Sequence, residues 1–257
     1  MDLKLKNKTV FVSASGQGIG AETAKEFLEE GAKVLINDTD KKRLLGLYKK
    51  LKREFKSNVD YFLGDMTDEN VIIELRKHLA HKWKKVDILV ANLGTGKPRS
   101  SENFDLGEWN RFMEVNLYSA IKLIKTFLPD MKRGEGGSII MISSIVGIQQ
   151  SSAPLGYSAS KASILSLVKN LSFEIAPFKI RINAVAPGNV FFQNGRWEEI
   201  VKNNSEVIKN YIKRDIPLKR FGKPEEIASA IVFLASPKSS FTTGACLIID
   251  GGEIKNY

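Results

Sequence analysis

Short apolar runs alternate with longer amphipathic stretches along the whole chain. The apolar runs predict strands at Thr9–Ser13, Lys33–Asn37, Val59–Leu63, Val86–Ala91, Gly137–Ser143, Ile180–Ala186 and Ala245–Ile249. They are apolar at consecutive rather than alternate positions, which is typical of strands buried on both faces. Because helix-forming stretches separate them, the pattern predicts an α/β protein with a single doubly wound parallel sheet of about seven strands and helices on both faces.

The chain shows no point at which it would divide into two domains. No linker rich in proline, glycine or serine interrupts it, so residues 1–257 are expected to form a single domain. Two helical regions, Trp109–Leu128 and Tyr157–Ile175, are apolar nearly all round. A helix lying on a sheet needs only one apolar face, so these regions favour a homo-oligomer, a tetramer or a dimer, with coverage by long loops as the alternative.

Composition excludes several classes of protein. With 257 residues, 43% of them hydrophobic and 26% charged, the chain is too apolar for a disordered protein. No stretch is long enough to span a membrane, and no secretory signal is expected. A single cysteine, Cys246, and two histidines, His78 and His81, predict neither a disulfide nor a metal site. Cys246 is expected in the core, and the cysteine usage favours a cytoplasmic location.

The net charge of +10 first suggests a nucleic-acid partner. The segment Lys41–Lys56, however, contains eight basic residues and one acidic residue. Within it Leu44, Leu51 and Phe55 form one helical stripe, with the basic side chains turned away from that stripe. The excess charge is therefore interpreted as the solvated face of one helix, and we expect no nucleic acid among the partners.

The first predicted strand runs into a glycine-rich turn that opens a helix. Glycine lets the backbone approach a pyrophosphate closely, and the exposed N–H groups of the helix favour the anion. The second strand ends in Asp38, where a carboxylate can accept hydrogen bonds from ribose hydroxyls. The combination favours a dinucleotide site over a purely structural turn. The turn consists of Ser13, Ala14, Ser15, Gly16, Gln17, Gly18, Ile19 and Gly20.

Asp38 also indicates which dinucleotide is bound. A 2′-phosphate about 4 Å from a carboxylate meets a repulsion of about 1 kcal/mol in water and about 4 kcal/mol at an effective dielectric constant of 20. Lys41, Lys42 and Arg43 follow closely and are able to attract a phosphate. The sequence therefore predicts NAD as the cofactor, with NADP as the alternative.

A tyrosine and a lysine occupy one face of a later predicted helix. Tyr157 and Lys161 are four residues apart, and Ser144 ends the preceding strand. A phenol has a reference pKa of about 10, and a nearby ammonium favours its ionised form. Tyr157 is then able to exchange a proton with an alcohol or a carbonyl, and Ser144 to hydrogen-bond the same oxygen.

With these motifs in this order, the chain resembles the short-chain dehydrogenase/reductase family over almost its whole length. The resemblance implies a Rossmann-like fold. Further matching segments are Gly64–Thr67, Ala91–Gly94, Val115–Leu117, Ile142–Ser144, Asn183–Gly188, Gly222–Ile227 and Gly244–Gly252.

The resemblance also implies a role for each matching residue. Ser144 would polarise the substrate oxygen, Tyr157 would be the acid/base, Lys161 would lower the pKa of the tyrosine and bind the nicotinamide ribose, and Asn116 would hold a water in a proton relay. The remaining residues would contact the cofactor: Asp65 and Met66 at the adenine, Asn92 and Gly94 along the cleft, and Pro187, Gly188 and Val190 at the nicotinamide.

Three positions depart from the family pattern. The first glycine of the turn is replaced by Ala14, which tolerates a positive φ poorly. We therefore expect either a turn rebuilt around Gly16 or a negative φ at Ala14. Ala91 replaces an asparagine, and Phe192 replaces a threonine whose hydroxyl helps to hold the carboxamide.

The segment 188–221 is expected to form a lid over the substrate, because it follows the sixth strand at the carboxyl edge of the sheet. Its aromatic side chains suit an apolar or sugar-ring substrate and Arg196 suits an anionic group. Alternatively, Trp197 only seats a lid helix on the body. The candidate substrate residues are Gln149, Gln150, Phe191, Phe192, Arg196 and Trp197.

These features predict an NAD-dependent oxidoreductase that interconverts a secondary alcohol and a ketone, on a polar or hydroxylated small molecule. One alternative is a 3-oxoacyl-(acyl-carrier-protein) reductase that uses NADPH. A remote alternative is a non-catalytic dinucleotide-binding regulatory protein.

Overall fold

One parallel sheet forms the centre of the protein. The computed structural model describes residues 2–100, 102 and 104–255. Its strands pair in parallel in the order third, second, first, fourth, fifth, sixth, seventh, which confirms the predicted sheet. The strands are β1 (Thr9–Val12), β2 (Lys33–Asp38), β3 (Val59–Leu63), β4 (Ile88–Ala91), β5 (Gly137–Ile142), β6 (Ile180–Pro187) and β7 (Cys246–Ile249).

Helices connect the strands and cover both faces of the sheet. They are α1 (Gly18–Glu29), α2 (Lys41–Phe55), α3 (Glu69–Trp83), α4 (Leu106–Met113), α5 (Ser119–Arg133), α6 (Leu155–Ile175), α7 (Arg196–Asn203), α8 (Ser205–Asp215) and α9 (Pro224–Ala235). Among the described helices, none combines the length and the apolar character that a bilayer crossing requires.

The sheet separates two apolar cores. Along β1, Val10 and Val12 pack into one core with side chains of α1, α2 and α9, whereas Phe11 packs into the other with side chains of α3, α5 and α6. This alternation is the period of two that a strand imposes on its side chains. Both faces of β1 are therefore apolar, which explains its continuous apolar sequence.

The order of the strands creates a cleft at the carboxyl ends of β1 and β4. The chain leaves β1 towards β2 and β3 on one side and returns to β4 on the other. At such a switch point the loops diverge, and this is where ligands bind in open α/β sheets.

Helix α2 carries much of the positive charge on its outer side. Leu44 and Leu51 are buried, and Leu47, Tyr48 and Phe55 pack against the same core. Asp40 begins the helix by accepting a hydrogen bond from the backbone N–H of Arg43 at 2.9 Å. The interpretation of this segment as an amphipathic surface helix agrees with the structure.

Two expectations about apolar surfaces have different outcomes. The region Trp109–Leu128 is interrupted by a π-helical turn at Glu114–Tyr118, and it exposes Lys125 as well as the apolar side chains of Tyr118 and Ile121. Cys246 is exposed rather than in the core, because it begins β7 at the edge of the sheet. In α6, by contrast, Phe173 leaves 88% of its surface exposed.

The turn after β1 retains its shape around an alanine. Ala14 has a φ of 48°, in the left-handed region, so neither expected compensation is found. Its N–H donates to Oδ1 of Asn37 at 3.2 Å, and its carbonyl accepts from Nδ2 of Asn92 at 3.0 Å. These two hydrogen bonds hold Ala14 in a conformation that glycine adopts more easily.

Replacing Ala14 by glycine should stabilise the protein. The left-handed conformation costs a residue with a Cβ about 1–2 kcal/mol, and the greater freedom of glycine in the unfolded chain offsets about 0.4–1 kcal/mol of that gain. We expect Ala14→Gly to raise the free energy of unfolding in urea by roughly 0.5–1 kcal/mol. Ala24→Gly, in the buried middle of α1, is the control and should lower it. A destabilised Ala14→Gly protein would contradict this account.

Candidate active site

Four predicted catalytic residues converge on the cleft from different elements. Ser144 follows β5, Tyr157 and Lys161 lie on α6, and Asn116 lies in the π-helical turn between α4 and α5. The side chain of Ser144 lies close enough to the phenol of Tyr157 to lower its pKa. The two groups that were expected to share one substrate oxygen are thus adjacent.

Opposing influences act on the phenol of Tyr157. Burial raises its pKa, because the ionised form is poorly solvated there. Ser144 and the positive charge of Arg196 each lower the pKa and so favour the phenolate. Burial is the larger influence, so the pKa of Tyr157 lies above its usual value and the phenol is protonated in this structure.

Lys161 is deeply buried and turned towards the main chain. Its side-chain ammonium donates to the carbonyl of Ile142 at 2.8 Å, and Nζ lies 5.8 Å from the centre of the Tyr157 ring. Burial lowers the pKa of Lys161 to about 7. We expected Lys161 to lower the pKa of Tyr157, and this effect is not found in this conformation. The amine of Lys161 faces the carbonyl of Ile142, and the positive charge that acts on the phenol is that of Arg196.

Asn116 braces the loop that follows β4. Its Oδ1 accepts from the N–H of Thr95 at 2.8 Å, and its Nδ2 donates to the carbonyls of Thr95 and Phe112 at 3.1 and 3.0 Å. A Cβ on Gly94 would lie 2.9 Å from that Oδ1 and 3.0 Å from Nζ of Lys161. Gly94 is therefore needed for the loop to lie against Asn116 and Lys161.

The glycine turn and Asp38 have the arrangement that a dinucleotide requires. Asp38 is buried at the end of β2, and its Oδ2 accepts from the N–H of Gly16 at 3.2 Å. A side chain on Gly16 would overlap this carboxylate, and Gly18 has a positive φ of 57°. The turn thus presents bare backbone beside an acidic group, which fits a pyrophosphate next to a ribose.

Arg43 forms an ion pair with Asp38 that sequence reasoning did not foresee. Its Nε and Nη2 donate to the two carboxylate oxygens at 3.0 and 2.6 Å. The arginine had been expected only as a competitor that attracts a phosphate. Its spacing of five residues from Asp38, across the start of α2, was the available signal.

Other predicted cofactor residues hold the turn in place. The hydroxyl of Ser13 accepts from the N–H groups of Asn92 and Leu93 at 2.9 and 3.1 Å, and Nδ2 of Asn92 donates to the carbonyl of Ser13 at 3.1 Å. The hydroxyl of Ser15 accepts from the N–H of Asn37 at 2.9 Å. These contacts join β1, β2 and β4 at the cleft.

The remaining turn and adenine-side residues lie where expected along the chain. Gln17 directly precedes α1, Ile19 packs against the core on that face of the sheet, and Gly20 lies against Asn92. Beyond β3, Asp65 is exposed and accepts from Thr67. Met66 is buried in the other core.

The loop after β6 hydrogen-bonds to Gly222 through the residues on either side of Val190. Pro187 ends β6, and a Cβ on Gly188 would lie 2.9 Å from Cα of Asp250. The N–H of Phe191 and the carbonyl of Asn189 pair with Gly222. The N–H and carbonyl of Val190, between them, lie outside that pairing, as a carboxamide contact would require.

Phe192 lies against the cofactor turn rather than facing a substrate. A Cβ on Gly18 would lie 2.7 Å from Cζ of Phe192, so the ring packs on the bare backbone of that glycine. The ring also packs on Gly195. The residue that replaces the expected threonine therefore covers part of the turn.

The predicted lid helices are anchored to the body by aromatic and polar contacts. Trp197 stacks on Tyr211 with ring centres 6.4 Å apart and packs on Phe221. The Tyr211 hydroxyl hydrogen-bonds Glu253, and Nδ2 of Asn189 donates to that hydroxyl at 2.5 Å. Trp197 therefore anchors the predicted lid helix to the body of the protein, which was the alternative interpretation of this residue.

The remaining candidates for substrate contact are at least partly exposed. Gln149 and Gln150 follow β5, and Phe191 is 39% exposed. Arg196 is exposed at the first position of α7. In the described part of the chain, no three His, Cys, Asp or Glu side chains come together as a metal site would require.

Comparison with known proteins gives full-length matches. A family model described as enoyl-(acyl carrier protein) reductase matches residues 13–253. The 3-oxoacyl-(acyl-carrier-protein) reductase FabG of Thermotoga maritima is 34% identical over 252 residues, covering 98% of this chain and 100% of that protein.

Solved structures of similar proteins contain either nicotinamide cofactor. L-sorbose reductase from Gluconobacter frateurii, complexed with NADPH and L-sorbose, has a TM-score of 0.93 at 27% identity and 100% coverage of both chains. A 7α-hydroxysteroid dehydrogenase complexed with NADH and 7-oxo glycochenodeoxycholic acid has a TM-score of 0.90 at 28% identity, covering 99% of this chain and 97% of that chain.

Replacing Phe192 by threonine should strengthen cofactor binding. The smaller side chain uncovers Gly18, so binding no longer displaces an apolar ring, whose packing is worth about 1 kcal/mol. We expect the Kd for NADH, measured by fluorescence titration, to fall about fivefold in Phe192→Thr. Phe173→Thr removes an exposed phenylalanine from α6 and is the control. An unchanged or weaker affinity in Phe192→Thr would show that the ring does not compete with the cofactor.

Proposed function

The chain belongs to the short-chain dehydrogenase/reductase family, and on that premise we propose that this NAD(P)-dependent oxidoreductase of alcohols and ketones prefers NAD and acts on a polar or hydroxylated small molecule. The observation that carries the proposal is that Ser144 lies beside the phenol of Tyr157 and lowers its pKa, with Lys161 one helical turn away. This set provides two hydrogen-bonding groups for one oxygen and a titratable amine behind them.

We propose the following division of work among the catalytic residues. Ser144 and Tyr157 hydrogen-bond the substrate oxygen, and Tyr157 gives its proton to a ketone or takes one from an alcohol. The bound nicotinamide supplies or accepts the hydride. Lys161, with a pKa of about 7, is able to change protonation near neutral pH and so to renew the proton on Tyr157. Asn116 positions the loop that covers them.

The cofactor turn and Asp38 are proposed to hold the adenosine half of NAD. The Asp38 carboxylate repels a 2′-phosphate, whereas Arg43 attracts one. Because Arg43 is already paired with Asp38 at 2.6 Å, the repulsion is reduced but the guanidinium is not free. We therefore propose a preference for NAD that is modest rather than strict.

The 3-oxoacyl-(acyl-carrier-protein) reductase remains the second candidate. The name of the Thermotoga maritima relative favours it. Asp38 opposes the NADPH preference that this alternative assumes, and the polar residues Gln149 and Gln150 favour a hydroxylated substrate over a long acyl chain. The complete set of Ser144, Tyr157, Lys161 and Asn116 opposes a purely regulatory role.

Several wider features are also proposals. The segment 188–221 acts as a substrate lid within a single domain, supported by the anchoring of α7 and α8. A second copy of the chain, in a dimer or tetramer, covers exposed apolar side chains such as Phe173, Tyr118 and Ile121. The single cysteine supports a cytoplasmic location.

Removing the phenol hydroxyl should nearly abolish turnover. Tyr157→Phe lacks the proton that the reaction exchanges, so we expect kcat to fall at least about a hundredfold. NADH binding should be retained, because the ring remains. Tyr118→Phe, on a half-exposed tyrosine, is the control. Substantial turnover by Tyr157→Phe would refute the acid/base role.

Changing the charge at Asp38 should change cofactor preference. Asp38→Ala removes the repulsion and frees Arg43, so the ratio of kcat/KM for NAD to that for NADP should fall by about five- to several-hundredfold. Arg43→Gln should raise the same ratio, because it leaves Asp38 uncompensated. Lys42→Gln, which removes a neighbouring charge, is the control. An unchanged ratio in Asp38→Ala would disprove the NAD assignment.

A further inference from the structure

Arg196 lies at a position where a positive charge destabilises the helix unless it binds a group of opposite charge. It is the first residue of α7, where a cation opposes the helix dipole. Among the described residues, no carboxylate forms an ion pair or a hydrogen bond with its guanidinium. Glu199 pairs with Lys97 at 2.9 Å and interacts with Arg196 only at longer range, and Glu198 pairs with Lys202 at 3.2 Å.

The guanidinium of Arg196 faces the phenol of Tyr157 across a glycine. A Cβ on Gly96 would lie 3.2 Å from Nη1 of Arg196 and 3.2 Å from Cζ of Tyr157. Nη1 of Arg196 and the ring of Tyr157 therefore both lie beside Gly96. The lack of a side chain at Gly96 lets the guanidinium and the phenol come close to each other.

We propose that Arg196 binds an anionic group of the substrate next to the carbon that is oxidised or reduced. The substrate class is then a short 2- or 3-hydroxy acid and its oxo acid. This inference rests on the proposed function, because it takes Tyr157 as the group that hydrogen-bonds the reacting oxygen.

The geometry limits the length of such a substrate. A molecule must place its reacting oxygen on Tyr157 and its anion on Arg196 at the same time. With the two groups so close, the carboxylate is attached to the reacting carbon either directly or through one further carbon atom. A planar guanidinium binds a carboxylate through two hydrogen bonds, which fixes the orientation of the ketone as well as its charge.

The electrostatic surroundings agree with an anionic ligand. The charge of Arg196 lowers the pKa of Tyr157, so the guanidinium already acts on the reacting site. An exposed second arginine, Arg99, lies in the loop after β4. A bound carboxylate would offset the charge of Arg196 and keep Tyr157 protonated, which favours Tyr157 as proton donor to an oxo acid.

Two matched pairs of compounds test the inference. Acetoacetate and methyl acetoacetate share one ketone and differ in charge, and pyruvate and methyl pyruvate form the second pair. We would measure kcat/KM for reduction with NADH, and binding by calorimetry to enzyme saturated with NAD⁺, with which an oxo compound cannot react. The variants are Arg196→Gln, Arg196→Lys and, as a control that removes a lid charge elsewhere, Lys202→Gln.

We expect the enzyme to prefer the acid over its ester. In at least one pair the native enzyme should bind and reduce the acid about ten- to a hundredfold better than the ester, and Arg196→Gln should erase this difference. Arg196→Lys should restore part of it, and Lys202→Gln should leave it unchanged.

Three results would overturn the inference. They are equal use of acid and ester by the native enzyme, an equal loss for both in Arg196→Gln, and failure of every acid to bind or react. If neutral ketones or sugars are reduced while acids are not, the inference fails and the proposed oxidoreductase stands. If no ketone of any kind is reduced, the proposed function fails as well.

Discussion

The buried amine of Lys161 constrains the whole reacting end of the cleft. Lys161 is 3% exposed, and its burial lowers its pKa to about 7. An amine in such surroundings needs an acceptor, and the carbonyl of Ile142 supplies it at the end of β5. The loop after β4 closes over the same amine, which requires the bare backbone of Gly94. One side chain therefore ties together β5, α6 and the loop after β4, and the position of Tyr157 on α6 follows from it.

Much of this arrangement could be predicted from local patterns in the sequence. The strands were predictable because both faces of the sheet are buried, so that β1 and its neighbours are apolar at every position. The common face of Tyr157 and Lys161 follows from helix geometry alone. The position of Asp38 at the cleft follows directly from the length of β2, which ends at that residue. In each case the structural feature depends on residues that are close in sequence.

The features that were missed depend on contacts between distant segments. No local pattern places the ring of Phe192 on Gly18, because the two residues come from loops after different strands. The positive φ of Ala14 is imposed by Asn37, on β2, and by Asn92, which follows β4; these two strands flank β1 in the sheet. Cys246 looked like a core residue because its strand is apolar, but the sequence does not state that this strand lies at the edge of the sheet. The predicted role of Arg43 was incomplete because its partner, Asp38, was considered only as a ligand for ribose.

The anchoring of the proposed lid segment, 188–221, connects these distant contacts to the chemistry. Arg196 owes its place opposite Tyr157 to its neighbour Trp197, which stacks on Tyr211. Tyr211 is fixed in turn by Glu253, a buried carboxyl whose pKa is raised by its burial. Arg196 is thus held by packing and hydrogen bonds that do not involve its own guanidinium. Because the backbone at Arg196 is already anchored, ligand binding has to order only its side chain, and less conformational entropy is lost than from a mobile segment. The contacts that anchor α7 therefore also determine where the chain places this charge.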